Sequence, residues 1–222
     1  MAVGEFETKF SVVPGVRLGS VHSGIKKSND KLDLVLIEFV EGSVTTGIFT
    51  RSSFAAAPVL VARRHIDLAN SRYFLVNSGN ANAATGQAGL ADAQTCCQEV
   101  SRLVGVTTEE VVPFSTGVIG ERLPVATVVD ALPLLRADLS ESNWLKAARG
   151  IMTTDTQPKI GSRQFKLDDK VITAWNGMAI TAMARGYQVL GDDRYLQSAQ
   201  RAAAFALTHL RKKNGRLLRT WR

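Results

Sequence analysis

The sequence predicts an α+β fold of layered sheet and helices, itself incomplete, for residues 1–165. It predicts an all-α helical hairpin for residues 166–222. Short, β-branched, partly alternating segments are interleaved with longer stretches whose apolar residues recur every three to four positions. The two kinds do not follow the strand–helix–strand rhythm of a doubly wound sheet. The charge also breaks near Lys166. Residues 1–165 carry 16 Lys+Arg against 16 Asp+Glu, and the remainder carries 11 against 4, so the whole net charge of +7 lies in the last quarter.

Residues 32–40, Leu-Asp-Leu-Val-Leu-Ile-Glu-Phe-Val, read as a strand rich in branched side chains. Glu41-Gly42-Ser43 suits a hairpin turn into a second strand at 44–50. Residues 72–77 and 111–114 are short, buried-looking strands. After Gly89, the spacing of Leu90, Ala93, Cys97, Val100 and Val104 predicts a helix. Cys97 lies on its buried stripe, which gives it a packing role. Pro124 suits a first helical turn, followed by Val125, Val128, Val129, Leu132 and Leu135 on one face. A further helix is expected over 142–149. In the tail, Val171, Trp175, Met178, Ala182, Gly186, Val189 and Leu190 mark one helical face. Gly191 then stops that helix and Asp192 caps the next, whose face is Leu196, Ala199, Ala203, Ala206, Leu207 and Leu210. No strand is expected between 167 and Arg216.

Composition excludes some classes. Hydrophobic residues make up 45%, too many for a chain that stays disordered. No apolar run approaches the ~18 residues of a membrane span, and residues 1–9 lack the pattern of a secretory signal. The two cysteines, Cys96 and Cys97, are adjacent, and no Cys/His spacing suggests zinc, so no metal site is expected. A reducing cytoplasm is the expected setting.

Three polar segments each follow a strand or helix. Asn77-Ser78-Gly79-Asn80-Ala81-Asn82-Ala83-Ala84-Thr85-Gly86 has small residues that let backbone amides approach a ligand or a neighbouring strand; it equally suits a tight turn and a helix start. Ser115-Thr116-Gly117-Val118-Ile119-Gly120 offers a hydroxyl and a glycine amide at a strand end, suited to an oxyanion or to an ordinary turn. Met152-Thr153-Thr154-Asp155-Thr156-Gln157-Pro158-Lys159 offers hydroxyls and a carboxylate to an amino-acid substrate, or a cap to a helix end.

Taken in order with Gly47-Ile48-Phe49-Thr50-Arg51 and Ala56-Ala57-Pro58-Val59, these segments closely resemble the ornithine acetyltransferase/N-acetylglutamate synthase family of arginine biosynthesis, over most of its first subunit. The resemblance implies a cytoplasmic, cofactor-free glutamate N-acetyltransferase that moves acetyl from N-acetylornithine to glutamate. It implies an oxyanion hole formed by Thr116 and Gly117, substrate contact by Thr153, and a threonine nucleophile exposed by self-cleavage. The sequence departs from the family after the Thr-Thr-Asp-Thr segment. Neither the family's Lys-Gly-Ser/Ala-Gly-Met segment nor its Ala-Thr cleavage site follows, so no nucleophile is present and the second subunit is missing. The chain alone is therefore expected to be inactive, with exposed apolar surface that drives association. The remainder resembles a fragment of the α/α-toroid region of thioredoxin-domain-containing, spermatogenesis-associated proteins, through Asp168-Asp169-Lys170-Val171, Thr173-Ala174-Trp175-Asn176-Gly177 and Gly191-Asp192-Asp193-Arg194-Tyr195-Leu196. The resemblance implies that Asp169, Lys170, Trp175 and Asn176 line a cavity in that full family.

Two other readings stand beside this one. A non-catalytic interaction or nucleic-acid-binding protein is suggested by the basic tail, although no nucleic-acid fold signature accompanies it and no nucleic-acid or membrane partner is expected. A carbohydrate-active α/α fragment is suggested by the toroid resemblance, although one hairpin is too short to close such a ring.

Overall fold

The computed structural model describes residues 11–161 and 171–221. The chain divides into two compact units, Met1–Gln164 and Phe165–Arg222. The expected features at Asp168, Asp169 and Lys170 lie outside the described residues.

The first unit runs β1 (Val16–Val21), β2 (Leu34–Phe39), α1 (Ala57–Leu68), β3 (Tyr73–Asn80), α2 (Gly86–Val104), β4 (Val111–Val118), α3 (Val125–Ala137) and α4 (Trp144–Gly150). The strands form one sheet in the order β1-β2-β3-β4. The first three are antiparallel neighbours; β3 and β4 are parallel, joined by α2 as such a crossover requires. Alternation along the strands sorts the side chains onto two faces. Leu34, Leu36, Tyr73, Leu75 and Val111 pack beneath Val61 of α1, Cys97 and Val100 of α2, and Val128, Leu132 and Leu135 of α3. On the other face Leu18 and Val35 pack against Ala147 of α4, flanked by Trp144. Phe39, Phe74 and Phe114 continue that second face, with ring centroids 4.7 and 4.9 Å apart. Phe114, at the edge strand, is 40% exposed.

The mixed sheet and helices are the α+β architecture expected, and Cys97 is fully buried in the core. One strand is corrected. Residues 44–50 form no strand, and no hairpin returns from β2. Both edges of β2 are already occupied, by β1 and β3, so the hairpin partner expected for this segment is not open to it. Val44 and Ile48 stand fully in solvent, while Phe49 lies under Arg63, whose guanidinium sits 5.4 Å from the ring centroid. Helix α1, with Pro58 in its first turn, and strand β1 add to the elements the sequence predicts.

The second unit contains β5 (Val171–Ile172), α5 (Thr173–Leu190), α6 (Asp193–His209) and β6 (Thr220–Trp221). Gly191 closes α5 in the left-handed region, φ +65°, and Asp192 caps α6 by accepting the Arg194 amide at 2.9 Å. The hairpin is as expected, but two details differ. Val171 belongs to a two-residue strand paired with Thr220–Trp221, so a strand does precede Arg216. The predicted α5 face is also the solvent face: Trp175, Met178 and Val189 are 67%, 63% and 82% exposed. Residues 173, 176, 180, 183, 184, 186 and 187 are the sheltered ones, Gly186 alone among the described residues of that predicted face. The reason is that α5 carries a single charge, Arg185, and is apolar almost all round. Its periodicity therefore identifies a helix without choosing its packed side.

Candidate functional site

The three polar segments singled out above lie at, or are tied to, the ends of β3 and β4. The parallel register sets Asn77, Ser78 and Gly79 opposite Ser115, Thr116 and Gly117. Ser115 donates its hydroxyl to Asn77 Oδ1 at 2.6 Å, and Asn77 Nδ2 donates to the Asn80 carbonyl at 2.8 Å. Backbones approach closely here. A methyl group on Gly117, which sits at φ +137°, would lie 2.5 Å from Asn80 N and would overlap the Gly79 carbonyl carbon. Only glycine permits that backbone conformation and that separation at once.

The Asn-rich segment resolves into structure. Asn80 Oδ1 accepts the Asn82 amide at 2.7 Å, and its Nδ2 reaches the Glu121 and Arg122 carbonyls at 3.2 Å. Asn82, fully buried, donates to the Gly89 carbonyl at 2.8 Å and accepts the Thr85 hydroxyl at 2.7 Å. Asn82 and Ala84 hold positive φ values of 43° and 58°. These side chains satisfy the backbone between β3 and α2, so they are not free to hold a ligand. Arg122 forms a two-pronged pair with Asp92 of α2 at 2.6 and 2.7 Å, which ties the chain after β4 to that helix.

Thr116 and Gly117 are exposed at the end of β4. The Thr153 segment reaches the same sheet end by another route. Ser78, the register partner of Thr116, donates its hydroxyl to the Gly150 carbonyl at the end of α4, at 2.5 Å. Lys26 Nζ donates to the carbonyls of Met152 at 2.6 Å and Leu32 at 2.8 Å. Thr153 thus follows directly on a peptide held by Lys26. It lines an open cavity of about 450 Å³ together with Lys26, Lys31, Arg149, Thr156 and Gln157. Thr116 and Gly117 do not line that cavity. Burial pushes the Lys26 ammonium below the ordinary lysine range, against the opposing pull of Asp33. Asp155 is held below the usual carboxylate range by its bond from Lys159.

Lys26 and Asp33 escaped the motif argument. Asp33 is fully buried and accepts Ser23 N at 2.6 Å, Ser23 Oγ at 2.8 Å, Lys26 N at 2.9 Å and Gly24 N at 3.2 Å. One carboxylate therefore folds the 22–33 loop and presents Lys26 to the Thr153 segment. A signal existed: Asp33 stands between Leu32 and Leu34 at the start of an apolar run, and a carboxylate placed there must be satisfied by neighbouring donors. Among the described residues, no three His, Cys, Asp or Glu side chains are grouped as a metal site, and no helix is long and apolar enough to cross a membrane.

Residues 17–190 match the model of a family described as the ArgJ family. The match continues past position 165 and through α5. The arginine biosynthesis bifunctional protein ArgJ of Pseudomonas fluorescens (strain Pf0-1) is 46% identical over 174 residues, covering 78% of this chain and 41% of that protein. Its counterpart in Methylococcus capsulatus is 47% identical over the same length and the same shares. The chain thus spans about 41% of the length of the curated relatives it matches. Among solved structures, ornithine acetyltransferase from Mycobacterium tuberculosis, crystallised with ornithine, superposes with a TM-score of 0.62 at 34% identity, over 64% of this chain and 78% of that one. The argJ protein of Bacillus halodurans gives 0.60 at 29% identity, over 64% and 74%.

Proposed function

The chain belongs to the ArgJ family, and on that premise we propose that it carries the first half of a glutamate N-acetyltransferase site. In this reading, acetyl passes from N-acetylornithine to glutamate in the cytoplasm, with no cofactor. The observation that supports it is an indirect tie between the Ser-Thr-Gly and Thr153 segments through Ser78 of β3. Thr116 pairs in register with Ser78, and Ser78 holds the end of the helix that leads into Thr153.

A hydroxyl nucleophile attacks the acetyl carbonyl, and the carbonyl oxygen becomes an oxyanion beside Thr116 and Gly117. The C–N bond breaks, ornithine leaves as the amine, and the ester so formed passes its acetyl to the glutamate amine. Preorganised donors at Thr116 and Gly117 stabilise the charge at each tetrahedral stage, and one such donor typically contributes ~2.7–4 kcal/mol. Thr153 contacts the amino-acid part of the substrate. No Ala-Thr pair follows the Thr153 segment, and the tail from 166, although the family match runs into it as far as position 190, resembles a hairpin fragment of α/α-toroid type. This chain by itself therefore neither cleaves itself nor turns over.

Intact-mass measurement over time, with assay of N-acetylglutamate formation from N-acetylornithine and glutamate, tests the inactivity. No mass loss and no product are expected; either one would overturn it. The substrate contact is tested by titrating N-acetylornithine into the chain and into Thr153→Val. Loss of one hydrogen bond worth about 1 kcal/mol predicts roughly fivefold weaker binding. Equal affinity removes Thr153 from the site.

A further inference from the structure

The solvent face of α5 is ordered by residue size. Viewed down the helix at about 100° per residue, Trp175, Met178, Ala182, Gly186 and Val189 fall within one stripe; Trp175, Met178, Ala182 and Val189 are exposed, and Gly186 is half-buried at its edge, next to the sheltered residues 176, 180, 183, 184 and 187. The bulky members stand at the two ends, and Ala182 lies at the middle. The Tyr195 ring of α6 lies 3.4 Å from where a Gly186 methyl would be, so the glycine forms the floor of a notch with an aromatic wall.

We propose that two copies of this chain associate through α5, antiparallel, about a two-fold axis at Ala182. The stripe is self-complementary in that arrangement. Position 178 of one copy meets 186 of the other, and 175 meets 189, because both pairs are centred on 182. Met178 then enters the Gly186–Tyr195 notch of its partner, a contact that suits a thioether against a ring edge. Trp175 covers Val189, and the two Ala182 methyls allow close approach of the helices. No carboxylate of α5 would be buried, since Arg185 is its only charged residue and lies at the border of the stripe.

The area suffices. Trp175, Met178 and Val189 are all more than 60% exposed; with an aromatic side chain offering roughly 150–250 Å² and the aliphatic ones somewhat less, the pair with its adjoining small residues buries on the order of 1,000 Å², the lower bound for a specific interface. The small residues at the centre favour a helix over a bilayer as occupant, because they offer backbone approach and little apolar bulk.

Light scattering on the purified full chain should give the dimer mass. Met178→Glu and Ala182→Glu should give the monomer mass with unchanged circular dichroism, while Ile119→Glu, an exposed apolar position of the first unit, should stay dimeric. Mild oxidation should cross-link Ala182→Cys to a dimer and leave Gln188→Cys monomeric on a denaturing gel. Wild-type monomer overturns the proposal, as does a dimer that survives both charge substitutions. A dimer that fails to cross-link at 182 overturns the register. Wild-type chain that is monomeric and sediments with anionic vesicles would identify a membrane surface as the occupant instead.

Discussion

Gly117 shows how one residue couples fold and site. Its φ of +137° and its contact with the Gly79–Asn80 peptide leave no room for a side chain, because the opposing atoms are backbone and cannot swing aside. Gly117→Ala should therefore destabilise the first unit by more than ~2 kcal/mol. A urea midpoint within error of wild type would contradict this. Glu38 gives a pH-dependent case. Burial alone would raise its carboxyl, but bonds from Arg17 and from the Tyr73 hydroxyl at 2.6 Å outweigh burial and hold it below the ordinary range. Tyr73 in turn is pushed up to about 12, by burial first and by Glu38 second. A depressed carboxylate contributes stability that is present above its unfolded value and is lost as pH falls through its folded value. Wild type should therefore lose more thermal stability on acidification below about pH 4.3 than Glu38→Gln does; parallel losses would discount the interaction. The Ser-Thr-Gly segment was legible as a polar strand end, but the close backbone approach that requires Gly117 was not. The structural employment of Asn80 and Asn82 was not, since asparagine in a small-residue segment reads the same whether it binds a ligand or its own backbone.

At the scale of elements, α2 was readable because its stripe is buried on one side only, against the sheet. Cys96 and Cys97 both end in the core, and burial pushes the Cys96 thiol up to about 12 and that of Cys97 further still. Thiolate is the reactive form, so the folded chain should show almost no reaction with a thiol reagent at neutral pH, and both sulfurs should titrate once the chain is unfolded in denaturant. Rapid modification of either cysteine in the native protein would show that α2 opens. Where prediction failed, the missing information was tertiary. Residues 44–50 have strand composition, but the hairpin partner expected for them, β2, has both edges taken. Strand β1 has Gly19 and Ser20 in its middle, which hid it. Gly19 is required there because a methyl group would overlap the Leu135 carbonyl of α3. In α5 the period was correct and the side was not, because both sides are apolar.

The whole molecule joins two units of unequal self-sufficiency. The first has a core of 15 buried residues between a sheet and three helices. In the second, among the described residues, Ala199 and Leu210 are the buried apolar side chains. Units below roughly 70–80 residues seldom bury enough surface to be stable without a staple or a partner. The +7 charge, which lies wholly after position 165, adds self-repulsion to that small unit. If the partner is a second copy held through α5, the stability of the hairpin follows mass action, while that of the first unit does not. Calorimetry should then resolve two transitions, contrary to single two-state melting. The lower one, belonging to the hairpin, should move to higher temperature as protein concentration is raised tenfold, and should shift down or vanish in Met178→Glu. The upper one should hold its position in both comparisons. A single transition that ignores concentration would mean that the second unit draws its stability from within the chain, and the exposed stripe of α5 would then need another explanation.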